Sequence, residues 1–439
     1  MKRVGEPSRL SAASAVSLAF VLLSAAETSL AANLFSPGPV CPVGQAPWSV
    51  AIADLNSDGW ADMAVANNES DTVGILPNRG DGTFAPQVIY PASDGPVCVK
   101  IADLDGDRDA DLALANWRSN DVSILLNRGD GTFMPQVLYP VSSAPWCLAI
   151  VDVNHDSAPD LAVSSYDTAT LSVLINNGQG QFTLSGIYAV GGNPYGVAGA
   201  DLDGDGDVDL AVANFGSDSV SILLNSGNGT FAPQIEYPAG DGAVSVALAD
   251  LDGDGDADAV TANFFGATVS VLQNDGLGGF SAPAMYAVGS MPFSVEGGDL
   301  DCDGDADLVT ANYGSDNFSV LLNQGGGTFG PPNNYPTNRF PTCVALGDLD
   351  RDTDLDLAVT SAYAWTVSVF INCSRTLGDL NCDRLVNAFD IDPFVLALTN
   401  PGAYQQQYPN CNLMLADVNG DGQLNAFDID PFVELLTGP

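Results

Sequence analysis

The chain has 439 residues and a formal net charge of −43, from 55 acidic and 12 basic side chains, with one histidine. That balance repels nucleic acid and anionic membranes, and a single histidine argues strongly against Ser-His-Asp or Cys-His catalysis. Only six of the acids are Glu and 49 are Asp, which points to turns and metal loops rather than to solvated helices.

Residues 1–32 read as a secretory signal. Lys2, Arg3 and Arg9 give a basic start, and residues 15–26 form an apolar segment too short to span a bilayer comfortably. Ser29, Ala31 and Ala32 offer a cleavage site. No later run is long enough for a membrane helix. The mature chain is therefore expected to be secreted or held at the cell surface, where calcium is abundant and disulfides persist. It carries eight cysteines: Cys41, Cys98, Cys147, Cys302, Cys343, Cys373, Cys382 and Cys411. None forms a CxxC pair, which argues against a zinc or redox motif. Connectivity cannot be read from spacing alone; Cys382–Cys411 is the one pairing expected.

From residue 33 to 377 the chain is a repeat. A nonapeptide with acids at alternate positions begins at Asp54, Asp103, Asp152, Asp201, Asp250, Asp299 and Asp348, always 49 residues apart. Its clearest copy, 201–209, holds five carboxylates in nine residues. A packed turn would desolvate these acids beside like charges. A bound hard cation removes the conflict, and calcium takes six to eight oxygen ligands at flexible geometry.

In the second repeat a β run over 97–102 enters the acidic loop, and 112–115 leaves it. A short loop leads to a third run at 122–126, then 127–131 reads as a Gly-rich hairpin turn. Phe133 to Tyr139 is predicted as a fourth strand. Four short strands with tight connections make one meander sheet, and sheets stacked around an axis make a propeller. The seventh repeat stops after 367–372, short of its fourth strand. The missing piece lies at the start of the mature chain, where 35–41 aligns with 84–90. Residues 35–377 count 343, seven times 49. The fold predicted is all-β: a seven-bladed β-propeller closed by an N-terminal strand, which removes free edges, plus a small α-helical C-terminal domain.

The acidic loop, the turn Phe and the strand-end Tyr resemble the FG-GAP/VCBS repeat family, known from integrin α-subunit propellers. The resemblance implies calcium in the loop between the first and second strands of each blade. Its ligands would be side chains at positions 1, 3, 5 and 9, with a backbone carbonyl at 7. Here these are Asp54, Asn56, Asp58, Asp62; Asp103, Asp105, Asp107, Asp111; Asp152, Asn154, Asp156, Asp160; and Asp201, Asp203, Asp205, Asp209. The series continues as Asp250, Asp252, Asp254, Asp258; Asp299, Asp301, Asp303, Asp307; and Asp348, Asp350, Asp352, Asp356. The third loop, with Ala158 and Pro159, is expected to bind weakest. A calcium in such a loop fixes a turn and performs no chemistry.

Strand directions put the calcium loops and Gly-rich hairpins on one face. The opposite face is expected to carry Trp117, Tyr166, Phe215, Phe264 and Tyr313, each 14 residues after a loop's first Asp. Trp48, Trp146, Tyr195 and Phe293, six before it, join them at the mouth of the inner strands. Aromatics on one rim suit sugar rings or a protein partner; the competing reading is packing between blades near the central channel.

After Leu377 the period changes. Two 12-residue loops start at Asp379 and Asp417, with oxygen ligands Asp379, Asn381, Asp383, Asn387, Asp390 and Asp417, Asn419, Asp421, Asn425, Asp428. Each runs into Ile-Asp-Pro-Phe-Val. Asp392 and Asp430 are predicted as N-caps, followed by Pro393 and Pro431, and Phe394, Val395, Leu396 and Leu398 as a helix face. The segment 378–439 looks like a dockerin, a pair of calcium loop–helix units, which implies a cohesin-like partner. Arg384, where the family's loop turn usually has Gly, and Ala388-Phe389 and Ala426-Phe427, in place of small hydroxyl residues, depart from its pattern. A Cys382–Cys411 disulfide would staple this small unit.

Nothing in the chain matches a Walker, GxSxG or HExxH motif. The function expected is a secreted, calcium-binding, non-catalytic binding or adhesion module for a protein or carbohydrate, tethered through the dockerin-like domain. The alternative is a polysaccharide-active lyase or hydrolase carried by the same tether; it needs one asymmetric acid/base cluster on the aromatic face.

Overall fold

The computed structural model describes residues 34–372, 379–380, 386–408, 413–416, 418 and 424–437. Residues 34–372 form seven four-stranded antiparallel sheets set as the blades of a propeller. In blade two the strands run outward from the axis as Pro96–Ala102, Asp111–Asn116, Asp121–Leu125 and Val137–Pro140. Each innermost strand lies against those of its neighbours, and Pro47–Ala53 of blade one meets Pro341–Gly347 of blade seven. The second strand of each blade is buried along its whole length, as in Asp111–Asn116. Adjacent blades cover both its faces, so a continuous apolar run is stable there without alternation.

The ring closes as the repeat count requires. Phe35–Pro42 is the outermost strand of blade seven, antiparallel to Thr366–Asn372, with Phe35 opposite Asn372 and Cys41 opposite Val367. Phe35 is buried, its ring edge-on to Phe318 and Tyr335.

The fourth strand differs from the expectation. It starts at Val137, not Phe133. Phe133 makes an isolated bridge to Asn127, and Pro135 then withholds an N–H from the ladder. Blade three has Thr-Leu-Ser where blade two has Met-Pro-Gln, and there the strand runs unbroken over Phe182–Ala189.

Two recurring contacts join the blades. The strand-end Tyr of one blade packs edge-on against the turn Phe of the next and donates its hydroxyl to the hairpin. Tyr139, for example, lies 5.5 Å from Phe182 and bonds the Gly180 carbonyl at 3.3 Å. At blade six, Tyr335 instead accepts the Leu34 N–H at 2.8 Å. The second contact is an asparagine clasp. Asn127 Nδ2 donates to the carbonyls of Leu55, in the acidic loop of blade one, and of Ala110, at 2.8 and 2.9 Å. Asn176, Asn225, Asn274, Asn323 and Asn372 repeat this to the preceding loop. Asn78 completes the circle by donating to Leu349 of blade seven at 2.8 Å.

The C-terminal part contains helices α1 (Ile391–Thr399), α2 (Pro401–Gln407) and α3 (Ile429–Thr437). Two predictions need correction here. The N-terminal cap lies one turn earlier than Asp392. Asn387 accepts the Phe389 N–H, and Asp390 accepts the Asn387 N–H, both at 2.9 Å, so a 3-10 turn precedes α1. Asn425 and Asp428 build the same box ahead of α3, the position expected for Asp430. Val395 is exposed; Phe394 and Ala397 are the fully buried side of α1, with Phe394 stacked 4.0 Å from Phe432.

Candidate metal loops and the aromatic channel mouth

Each acidic loop wraps its backbone around its own carboxylates. In blade two, Asp103 accepts the N–H groups of Gly106 and Arg108 at 2.8 and 2.9 Å, and Asp107 accepts that of Asp109 at 2.9 Å. Asp111, fully buried, accepts Leu104 N–H with one oxygen and Asn127 N–H with the other, at 2.9 and 2.7 Å. The same residue thus ties its loop to the Asn of the clasp. The wrap needs a left-handed backbone at the fourth and sixth positions, which Gly204 (φ 76°) and Gly206 (φ 91°) adopt freely. Loop three folds the same way with His155 (φ 60°) and Ser157 (φ 68°), side chains that pay strain for it.

Among the described residues, carboxylate oxygens converge within 4.8 Å of one another in five loops: Asp103, Asp105, Asp107; Asp201, Asp203, Asp209; Asp250, Asp252, Asp254; Asp299, Asp301, Asp303; and Asp348, Asp350, Asp356. Loops one and three carry Asn56 and Asn154 at the third position, each offering an amide oxygen. Asp301 Oδ1 is buried without a hydrogen-bond partner. Burial pushes the Asp111 carboxyl up to about 6 against its two backbone donors, and Asp307 up to about 7. Without a cation these sites hold ionised carboxylates at a cost, and an oxygen-only donor set of this kind fits calcium.

Position four also links neighbouring loops where it is basic. His155 Nε2 lies 2.5 Å from Asp207 of the next loop. Arg351 Nε donates to the Gly59 carbonyl at 2.6 Å, with its guanidinium 4.6 Å from the centre of the Trp60 ring.

At the other end of the channel the nine predicted aromatics meet. Trp146 touches Trp48, Trp117, Tyr166 and Tyr195, with ring centres 5.7, 5.8, 6.2 and 4.3 Å away. Tyr195 continues to Phe215 at 5.4 Å, and Phe293 joins Trp48, Phe264 and Tyr313 at 5.4, 5.9 and 6.1 Å. A bulge makes this possible. Every innermost strand shifts register near its start, for instance between Pro47 and Ser49, and the unpaired residue there is Trp48. A bulge re-aims its side chain, here towards the mouth. The rings pack on one another yet stay partly accessible, with Trp117 exposed at the rim.

Phe265, Phe340 and Tyr363 extend the net and were missed by exact spacing. Phe340 lies 4.8 Å from both Tyr313 and Tyr363. Tyr363 (70% exposed) and Phe265 (58%) are its most accessible large rings. In blade seven Ala362 holds the regular position and the aromatic slips one residue on.

Below the rings lies a cavity of about 100 Å³ lined by Trp48, Trp146, Phe293, Lys100 and Glu296 among others. The charged pair was also missed. The third residue before each loop is Ala51, Lys100, Ala149, Ala198, Ala247, Glu296 and Ala345, so one Lys and one Glu stand in a ring of alanines. Burial opposes the charge of Lys100, but the facing Glu296 carboxylate and the nearby thiols hold its pKa well above the usual value. Burial raises Glu296, and Lys100 opposes that rise.

In the C-terminal part, Asp379 is buried and Asp390 Oδ1 accepts the Leu380 N–H at 2.8 Å. Phe389 and Phe427, at equivalent positions, are each 78% exposed. The signal expected at 1–32, the ligand candidates Asn381, Asp383, Asp417, Asn419 and Asp421, and the expected pair Cys382 and Cys411 lie outside the described residues. Among the described residues, no helix is long and apolar enough to cross a membrane.

The FG-GAP-like repeat model matches residues 54–114, 103–163, 152–212, 201–261 and 299–359. These matches span more than half of the chain, and the protein belongs to the FG-GAP-like repeat family. Among solved structures the fold is similar to virginiamycin B lyase from Staphylococcus aureus, with 11% identity, a TM-score of 0.55, and 76% of this chain and 99% of that one covered. It is likewise similar to BBS1N in complex with ARL6DN (14% identity, TM-score 0.57, coverage 77% and 97%). A streptogramin B lyase gives 13%, 0.53, 77% and 97%. At such identities the likeness concerns the fold alone. No curated protein matches the sequence.

Proposed function

We propose that this protein is a secreted, calcium-binding propeller acting as a non-catalytic binding module, with a glycan held on the aromatic channel mouth. The observation that carries the reading is the meeting of nine rings, scattered over 266 residues from Trp48 to Tyr313, at one end of the channel. Partly exposed rings at varied tilts offer stacking faces for pyranose rings and little else of chemical use. Residues 1–32 serve as the export signal, 33–377 as the binding propeller and 378–439 as a dockerin-like domain that docks a cohesin-like protein. Support for the last comes from the repeated capping boxes and the matched exposed Phe389 and Phe427.

Calcium, held by the acids at positions 1, 3, 5 and 9, would neutralise the loops and fix their turns. The convergent oxygens and the unpartnered Asp301 Oδ1 favour it. Affinity in the range of extracellular modules, roughly 10⁻⁴–10⁻³ M, is expected.

The test is calorimetry against a panel of plant and algal oligosaccharides, with Trp117→Ala and Tyr363→Ala as exposed, non-disruptive variants. Binding that weakens at least tenfold in either variant supports the reading. Absence of binding to every glycan, or affinity untouched by both changes, refutes it.

A second reading rests on Lys100 and Glu296, an acid and a base that occur once each in the ring. They favour a polysaccharide-active lyase or hydrolase. Against it, the cavity that joins the pair to the rings is only about 100 Å³, and the wider space beside them, about 330 Å³, is lined by inner-strand residues and none of the nine rings. Release of oligosaccharides by the wild type, lost in Glu296→Gln, would reverse this preference.

A further inference from the structure

We propose that Cys98 and Cys147 are a two-electron redox pair that closes into a disulfide joining blades two and three at the channel wall. Both stand five residues before their acidic loops, in the adjacent innermost strands Pro96–Ala102 and Pro145–Val151. Their sulfurs are 3.0 Å apart, inside the contact distance of two non-bonded sulfur atoms. The corresponding residues around the ring are Ser49, Cys98, Cys147, Gly196, Ser245, Ser294 and Cys343. Only Cys98 and Cys147 are cysteines in neighbouring blades.

The serines reveal what this position does. Ser49 Oγ accepts the Val99 N–H of the next blade at 3.2 Å, Ser245 accepts Val295 N–H at 3.3 Å, and Ser294 accepts Val344 N–H at 3.4 Å. The position is an interblade link. Between blades two and three that link passes to two thiols, and a covalent bond does the work of the hydrogen bond. Cys343 is separated from Cys98 by blade one, and its sulfur lies 3.4 Å from its neighbour Val344's carbonyl.

The chemistry needs an oxidant, a low-molecular-weight disulfide entering by the channel. Cys147, the less buried residue of the two, attacks one sulfur of that disulfide as the thiolate. The S–S bond breaks and one thiolate leaves with the electron pair. Cys98, losing its proton to channel water, then attacks Cys147 Sγ and expels the second thiolate. Two protein thiols give up two electrons, and two small thiols carry away the protons. The hydrogen bond from Cys98 and the charge of Lys100 bring the Cys147 thiol down to about 7 against burial, which suits the attacking role.

The inference is independent of glycan and metal binding. The full chain is reduced, desalted, oxidised with 2-hydroxyethyl disulfide, alkylated with iodoacetamide and cleaved before Asp. Cys98 then lies in fragment 94–102 and Cys147 in fragment 130–151. Mass spectrometry is expected to find these fragments joined. Reduction should lower the melting temperature by roughly 5 °C more in the wild type than in Cys147→Ser. Should that variant fail to fold, the wild-type map decides alone. Both fragments alkylated after oxidation, or either joined to the fragment bearing Cys343, overturns the proposal.

Discussion

Replacing Asn127 by Ala tests the clasp that joins each blade to its predecessor. The side chain is 2% exposed and makes three bonds: to the Leu55 and Ala110 carbonyls, and from the Gly129 N–H at 3.1 Å. At about 1 kcal/mol net for each, with the stranded partners buried, the loss is about 3 kcal/mol. In a chain of this size that is a fall in melting temperature of roughly 5 °C, read by scanning calorimetry at fixed calcium. Asn127→Asp should fall further, because a carboxylate would then face two carbonyls with no donor between them. Asn78→Ala should match Asn127→Ala, since Asn78 makes the same bonds across the joint between blades one and seven. An open array would leave Asn78 without that role. If Asn78→Ala melts within about 1 °C of the wild type while Asn127→Ala does not, the closed ring is wrong. If neither moves, the clasp carries no weight.

Three further outcomes are expected. Chelation should lower the melting temperature, and each tenfold increase in free calcium above the dissociation constant should restore about 1.4 kcal/mol per site; a melt indifferent to chelator would end the metal reading. In chelator the pH response takes an unusual sign. Asp111 and Asp307 are raised to about 6 and 7 in the folded chain, so the folded state binds more protons than the unfolded one. Their penalty is present above pH 7 and vanishes as pH falls towards 4, so melting should rise on acidification over that window; a fall across it counts against buried, ionised loops. Phe35→Ala should cost about 3–5 kcal/mol by emptying the site between Phe318 and Tyr335, and a loss below about 1 kcal/mol by denaturant titration would show the closing strand to be dispensable.

The sequence disclosed the ring because its period never slips. An invariant interval lets the count of blades, and the strand missing from the last of them, be read by subtraction. It was less informative wherever one residue's role depends on a neighbouring blade. The Asn of the clasp was visible in six repeats as part of a Gly-rich turn, but the partner of Asn127, for example, lies 72 residues earlier, a separation no local pattern reveals. Pro135 could have been read as a break in the fourth strand. The bulge that swings Trp48 and Trp146 to the mouth leaves no mark in composition. Lys100 and Glu296, by contrast, were legible in principle: aligning the repeats column by column sets them against five alanines. Cys98 and Cys147 share a column in the same way.

The strand Phe35–Pro42 finds its partner Thr366–Asn372 only at the far end of the propeller. During synthesis, at about 5–20 residues per second, this strand must therefore wait while six blades form behind it. Until blade seven arrives, blade six lacks Leu34 and Phe35 against Tyr335, and the last sheet will lack its outer edge. The nascent protein passes through a stage in which an unpaired rim and a loose leading segment coexist, the arrangement most open to pairing with another copy of itself. A circular permutation that carried residues 34–42 to follow residue 372 would turn that long wait into the making of a neighbouring hairpin.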